Sequence, residues 1–183
     1  MNRITPHSFQ YPRFDIYWDY LKTIVGLTIG SGGLIFGLDN TFSRLSFSAI
    51  IIVFVFFGLQ SIRRHKTVVT LSEKGLIITA FRTEHMAWKD INNIELRYYG
   101  RPVKDKDPDH KPKGTLNLKL TSKRQKINLD SKLYGFKYLV WCATLVASEY
   151  KAPLDPSTVG NMLDIGLDPK GGSEMPDTAV AGF

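Results

Sequence analysis

From Leu45 to Ile62 the chain reads LSFSAIIIVFVFFGLQSI, eighteen residues without a charge. A helix crosses the hydrocarbon core of a bilayer with roughly 17–25 mostly apolar residues, so this stretch is long enough by itself. Upstream, Thr23 to Leu38 forms sixteen further uncharged residues. Tyr20 and Leu21 extend that run backwards if Lys22 snorkels its ammonium to the surface. Six residues separate the two runs, with a turn-like Asp39-Asn40 among them. The expected structure over 20–63 is therefore a hairpin of two transmembrane helices rather than a pair of buried core helices. The first run lies well inside the chain and lacks a small-residue cleavage site, which sets a cleaved signal peptide aside.

Basic residues give that hairpin an orientation. Arg63, Arg64, His65 and Lys66 follow the second run, Arg13 and Lys22 precede or begin the first, and the connection holds only Asp39 and Arg44. The positive-inside rule then predicts two cytoplasmic termini, with Tyr17, Trp18 and Tyr20 as an interfacial aromatic belt. Gly26, Gly30, Gly33 and Gly37 are spaced four, three and four, and so share one side of a helix. Small residues at that spacing let another helix backbone approach closely. The partner is either the second helix of the same hairpin or a transmembrane helix of another protein.

After Lys66 the pattern changes to short strands. Thr67–Leu71 is β-branched, Ser72–Gly75 turns, and Leu76–Phe81 returns. Glu84–Trp88 and the alternating Ile94–Tyr99 follow. The Pro-, Asp- and Lys-rich 100–114 reads as a solvated loop. Thr115–Thr121 alternates strictly, Ser122–Gln125 turns, and Lys126–Leu129 closes the set. A helix capped by Asp130 or Ser131 is expected to run to Tyr150.

Six strands in a meander with one C-terminal helix resemble the pleckstrin-homology superfold. The run Lys74-Gly75-Leu76, then Trp88-Lys89-Asp90-Ile91, then Ile94, resembles the bacterial membrane-anchored pleckstrin-homology-like family, in which two transmembrane helices commonly precede the domain. The resemblance covers residues 20–150. It implies a membrane α-helical hairpin followed by an α+β domain, a partly open barrel capped by its C-terminal helix, at a bacterial inner membrane. One departure concerns ligands. Lipid-binding members of the superfold carry Lys and Arg around the first hairpin, where this chain offers only Lys74 beside Glu73. Inositol-phosphate recognition is therefore not supported.

The chain thus divides into a cytoplasmic segment (1–19), the hairpin (20–63), a cytoplasmic domain (64–151) and an acidic, Pro/Gly-rich tail (152–183). Of 183 residues 24 are basic and 17 acidic, a net charge of +7. The domain holds +9 of it and the tail −4. Within the tail, Pro156–Leu163 reads as a short helix starting after Asp155. Left alone the tail would be disordered, so a partner or the basic domain is expected to hold it.

Composition and spacing point away from catalysis. Cys142, the single cysteine, excludes a disulfide framework, a cysteine zinc site and an iron–sulfur cluster, and reads as a small buried hydrophobe. The four histidines show no metal-ligand spacing, and no cofactor is expected. Glu84 and His85 are neighbours in a strand and point to opposite faces. Asp105, Asp107, Asp109 and His110 are balanced by Lys104, Lys106, Lys111 and Lys113 in a solvated loop. The leading expectation is a non-catalytic accessory or scaffold subunit of a larger membrane complex. Its partner surface would be a second apolar stripe on the C-terminal helix, Tyr134, Tyr138, Trp141 and Leu145, unless the chain's own tail or loops cover it. The alternative is a sensor of anionic lipid using Arg63, Arg64, Lys66, Lys111 and Lys113. A third class, an oligomeric pore or transport component, is weakened by the lack of charge within either span. Nucleic acid ranks last as a partner, because aromatics and arginines do not interleave on an exposed sheet.

Overall fold

The structure, a computed structural model, describes residues 6–36, 40–100 and 114–180. It resolves into two compact units, one of Tyr11–Val68 with Thr79–Arg82, the other of Met1–Gln10, Val69–Ile78 and Thr83–Phe183.

The first unit is built on two helices, α1 (Arg13–Phe36) and α2 (Thr41–Lys66). Asn40 caps α2, its side chain accepting from the Phe42 N–H at 3.0 Å. At the other end Arg63, Arg64, His65 and Lys66 occupy the last turn, where cations complement the helix dipole. The glycine side of α1 packs on α2. A Cβ at Gly26 would overlap the Phe54 ring, one at Gly33 the Phe47 ring, and one at Gly30 would lie 2.7 Å from Ile51 Cγ1. Gly58 of α2 returns the favour to Thr23, whose methyl lies 2.9 Å from where a Cβ would stand. The close approach is thus made within the chain; Gly37 lies outside the described residues. At the polar base of the pair, Tyr20 Oη meets His65 Nδ1 at 3.0 Å and Arg64 lies 3.7 Å from Asp19.

Here the expectation of two transmembrane helices followed by a pleckstrin-homology-like domain is corrected. Among the described residues one helix, α2, is long and apolar enough to cross a membrane, with a mean hydropathy of 2.3 over its most apolar window. Counting uncharged residues overrated α1. Its first turns carry Arg13, Asp15, Asp19 and Lys22, and its second half is diluted by Gly26, Gly30, Gly32 and Gly33, which add length without hydrophobicity.

The second unit departs from the expected six-strand meander as well. Among the described residues it has seven strands in two sheets: β1 (Ser8–Gln10), β2 (Val68–Ser72), β3 (Gly75–Thr79) and β4 (Thr83–Ala87) in that order, and β5 (Ile91–Gly100), β6 (Gly114–Ser122) and β7 (Lys126–Asp130) in that order. β1 comes from before the helices, and His7 O accepts from the Leu71 N–H at 2.8 Å. A single 3-10 turn, Trp88–Asp90, breaks the meander between β4 and β5. The alternation in β6 holds: Leu116, Leu118 and Leu120 are buried and pair across to Tyr98, Leu96 and Ile94. Phe136, Leu139, Val140 and Val146 of α3 (Phe136–Tyr150) are buried as well.

α3 starts at Phe136, later than the expected cap at Asp130 or Ser131. Those two residues are spent on the sheet. Ser131 trades hydrogen bonds with Leu116, its N–H reaching Leu116 O at 2.8 Å and its Oγ accepting the Leu116 N–H at 3.1 Å. Asp130 closes a turn on the Lys132 N–H. The residue that opens α3 is Gly135, left-handed at φ 65°.

α4 (Pro156–Asp164) docks on β5, which is an edge strand. Thr158 Oγ1 accepts the Leu96 N–H at 2.9 Å, and Asn161 Nδ2 donates to Leu96 O at 2.6 Å. Both free backbone groups of an edge residue are thereby satisfied by side chains, which protects the edge from pairing with another chain. So the tail's short helix is held by the chain's own domain.

That docking depends on Asp155, whose carboxylate accepts from the Thr158 N–H at 2.7 Å as the N-cap. Bonds from Thr158, side chain first and backbone second, hold the Asp155 carboxyl below its ordinary pKa. A lowered folded-state value means the cap contributes fully above the ordinary carboxyl range, about pH 4, and is lost as pH falls through the lowered value. Hydrogen exchange at the Leu96 amide is expected to stay slow from neutral pH down to that range and to quicken below it. Asp155→Ala should quicken it already at neutral pH, by about 1 kcal/mol of local protection. Unchanged exchange in that variant would show that the cap does not hold α4.

Candidate functional site

The expected partner stripe on α3 is not available as a surface. Tyr138 is fully buried and Trp141 is 4% exposed. The Trp141 indole N–H donates to Ser173 O at 3.1 Å, and Gly171 lies over Leu145. From the N-terminal side, His7 meets the Tyr138 ring edge-on at 5.5 Å and Phe9 lies 6.0 Å from it. Of the four stripe residues only Tyr134 keeps substantial exposure. The chain covers this stripe itself, and the tail that does so buries Met162, Ile165 and Leu167 of its own.

The lipid-surface residues are divided. Arg63 and Lys66 are exposed at the end of α2, Lys66 lying 5.4 Å from the Phe81 ring centre, while Arg64 is half-buried beside Asp19 and 5.9 Å from the Tyr11 ring. Lys111 and Lys113 lie outside the described residues. So do Asp105, Asp107, Asp109 and His110. Among the described residues no group of three or more His, Cys, Asp or Glu is placed to hold a metal ion. Burial pushes the Cys142 thiol up to about 12, so it carries no thiolate at neutral pH.

A different place gathers charge. An open concavity of about 680 Å³ lies where the end of β4 and the 3-10 turn approach the β6–β7 connection. One wall carries His85, Lys89, Asp90 and Asn92; the other carries Ser122, Lys123, Arg124 and Gln125; Met86 is its one apolar lining residue. Both walls are fixed by local bonding. The Trp88 indole is 2% exposed and donates to Ser72 O at 2.9 Å, and the Trp88 N–H reaches Lys74 O at 3.2 Å. Gly75 sits so close beneath that a Cβ would lie 2.8 Å from Ala87 Cα, backbone that cannot step aside. Opposite, Ser122 Oγ accepts the N–H groups of Arg124 and Gln125, which sets Lys123-Arg124 at the tip of a tight connection. Gln125 Nε2 donates to His85 O at 2.5 Å and ties the two walls together.

None of the ion pairs among the described residues involves Lys89, Lys123 or Arg124. In the same unit Glu95 is paired with Lys119 across the ladder at 3.0 Å and with Arg97 at 2.7 Å. The Lys119 hydrogen bond is the main reason the Glu95 carboxyl sits below its usual pKa. Among the described residues the lining thus holds three cations, one carboxylate and several neutral donors, an excess of positive charge. Sequence reasoning read Ser122–Gln125 only as a turn. The one local signal was Lys123-Arg124 at a turn tip, and nothing local says that Lys89 stands opposite.

Comparison of the chain with protein-family models, with curated proteins and with solved structures returned no match. A functional reading rests on the residues themselves.

Proposed function

We propose that this chain is a non-catalytic protein anchored by α2, whose basic domain works against the anionic cytoplasmic leaflet of a membrane. The observation that carries the reading is the end of α2. Eighteen uncharged residues run into Arg63, Arg64, His65 and Lys66, and Thr67 alone separates that cluster from β2. Positive charge at a helix end favours the cytoplasmic side, and each Lys or Arg near an anionic surface contributes about 1 kcal/mol. A scaffold that grips a partner by the α3 stripe is less well supported, since the chain itself covers that stripe.

The test uses the full chain in nanodiscs of neutral lipid, mixed with liposomes that are neutral or acidic. Acidic liposomes should carry the nanodiscs upward in a flotation gradient and neutral ones should not. The capture should collapse with salt, as the screening length shrinks from about 10 Å at 0.1 M to about 3 Å at 1 M. Equal capture by both liposomes, or capture indifferent to salt, would overturn the reading.

A further inference from the structure

We infer that the concavity between the 3-10 turn and the β6–β7 connection binds a phosphomonoester, with Lys89, Lys123 and Arg124 as its cationic ligands. The inference rests on the anionic-surface reading and sharpens it from a diffuse attraction to a discrete site. Lys89 stands on one wall and Lys123 and Arg124 on the other, so a ligand between them is met from two sides. Their charge exceeds that of Asp90, the one carboxylate among the described lining residues, by two. That excess matches a phosphomonoester, which carries about −1.5 to −2 charges at neutral pH, better than a phosphodiester with its single charge. Arginine adds a planar fork that grips phosphate oxygens in pairs, and lysine adds a point charge. The site is also prepared in advance. Trp88 pins the wall that bears Lys89, Ser122 shapes the tip that bears Lys123 and Arg124, and the Gln125–His85 bond holds the walls at a fixed separation. The backbone that carries the three cations is thus set before the ligand arrives, and what remains to be ordered is their exposed side chains. The volume, about 680 Å³, accommodates a headgroup as well as a bare phosphate.

Two sources share this chemistry, a lipid whose headgroup ends in phosphate and a free phosphorylated molecule, and one experiment separates them. The full chain in neutral nanodiscs is offered liposomes containing phosphatidic acid, a phosphomonoester, or phosphatidylglycerol, a phosphodiester, at matched surface charge. A lipid ligand predicts tighter capture by phosphatidic acid, by about tenfold, which corresponds to about 1.4 kcal/mol. A free ligand predicts no such preference but saturable binding of inorganic phosphate, followed by calorimetry on the same nanodiscs. In either case the variant Lys89→Gln/Lys123→Gln/Arg124→Gln should abolish the preference or the saturable binding. All three side chains are exposed, so its thermal stability should match the parent. The charge-matched variant Lys132→Gln/Lys137→Gln/Lys170→Gln removes as much charge away from the concavity and should leave both signals within about twofold. If phosphatidic acid and phosphatidylglycerol are captured alike and phosphate does not saturate, or if the two variants lose binding equally, the discrete site is refuted while the anionic-surface reading stands. If neither acidic lipid is preferred over neutral lipid and phosphate still saturates, the surface reading fails and the site survives. Binding that appears only with nucleic acid refutes both.

Discussion

Replacing Trp88 with alanine should lower the stability of the β-rich unit by about 3–5 kcal/mol, the range for deleting a large buried aromatic. Two losses combine. The indole fills core space at 2% exposure, and its N–H satisfies Ser72 O, a part-buried acceptor that would lose its donor. In a chain of this size the thermal midpoint of the purified full-length protein should fall by about 10 °C. Trp88→Phe restores much of the bulk but not the donor, and should recover all but about 1–2 kcal/mol. The effect should also reach the concavity, because Lys89 follows Trp88 directly in the 3-10 turn. Phosphate affinity should therefore drop in Trp88→Ala even below its melting temperature. A midpoint shift of only a degree or two would mean that the turn is held by something other than this side chain.

Gly135→Val is expected to rank next, at about 2–5 kcal/mol, because two separate penalties fall on one residue. Gly135 opens α3 at φ 65°, a conformation that β-branched side chains resist most. A Cβ there would also overlap the Phe9 ring, which packs beside Tyr138. The outcome should be loss of β1 from its place against β2, read as fast exchange at the Leu71 amide that β1 now protects. A double-mutant cycle separates the penalties. Phe9→Ala should relieve the overlap in the Gly135→Ala background and leave the backbone strain untouched. Gly135→Ala as stable as the parent would show that neither constraint operates.

Several features were legible because they are local. The uncharged run of α2, the period-two alternation of β6 and the Asp155-Pro156 start of α4 are each written within a single window of sequence. For α1 a local quantity misleads: absence of charge is not hydrophobicity, and its glycines supply only the first. β1 was missed because three residues, Ser8 to Gln10, carry too little pattern to compete with the apolar run behind them. The late start of α3 was missed for a different reason. Asp130 and Ser131 are good helix caps in isolation, but the Leu116 backbone offers Ser131 a better arrangement, and Leu116 lies in another strand.

The sequence by itself determined which segments are apolar enough to be buried or to enter a membrane, and where most strands alternate, because those properties depend on neighbours a few positions apart. Only the tertiary structure decided what the apolar and charged faces meet. Tyr138 and Trp141 read as a surface for a partner until the tail and His7 close over them. Lys89 and Lys123-Arg124 read as unrelated solvated charges until β4 and the β6–β7 connection bring them to facing walls. Both outcomes hang on contacts between residues some thirty or more positions apart. The free energy of such contacts lies in packing and desolvation at the point of meeting, and no window of the sequence contains both partners.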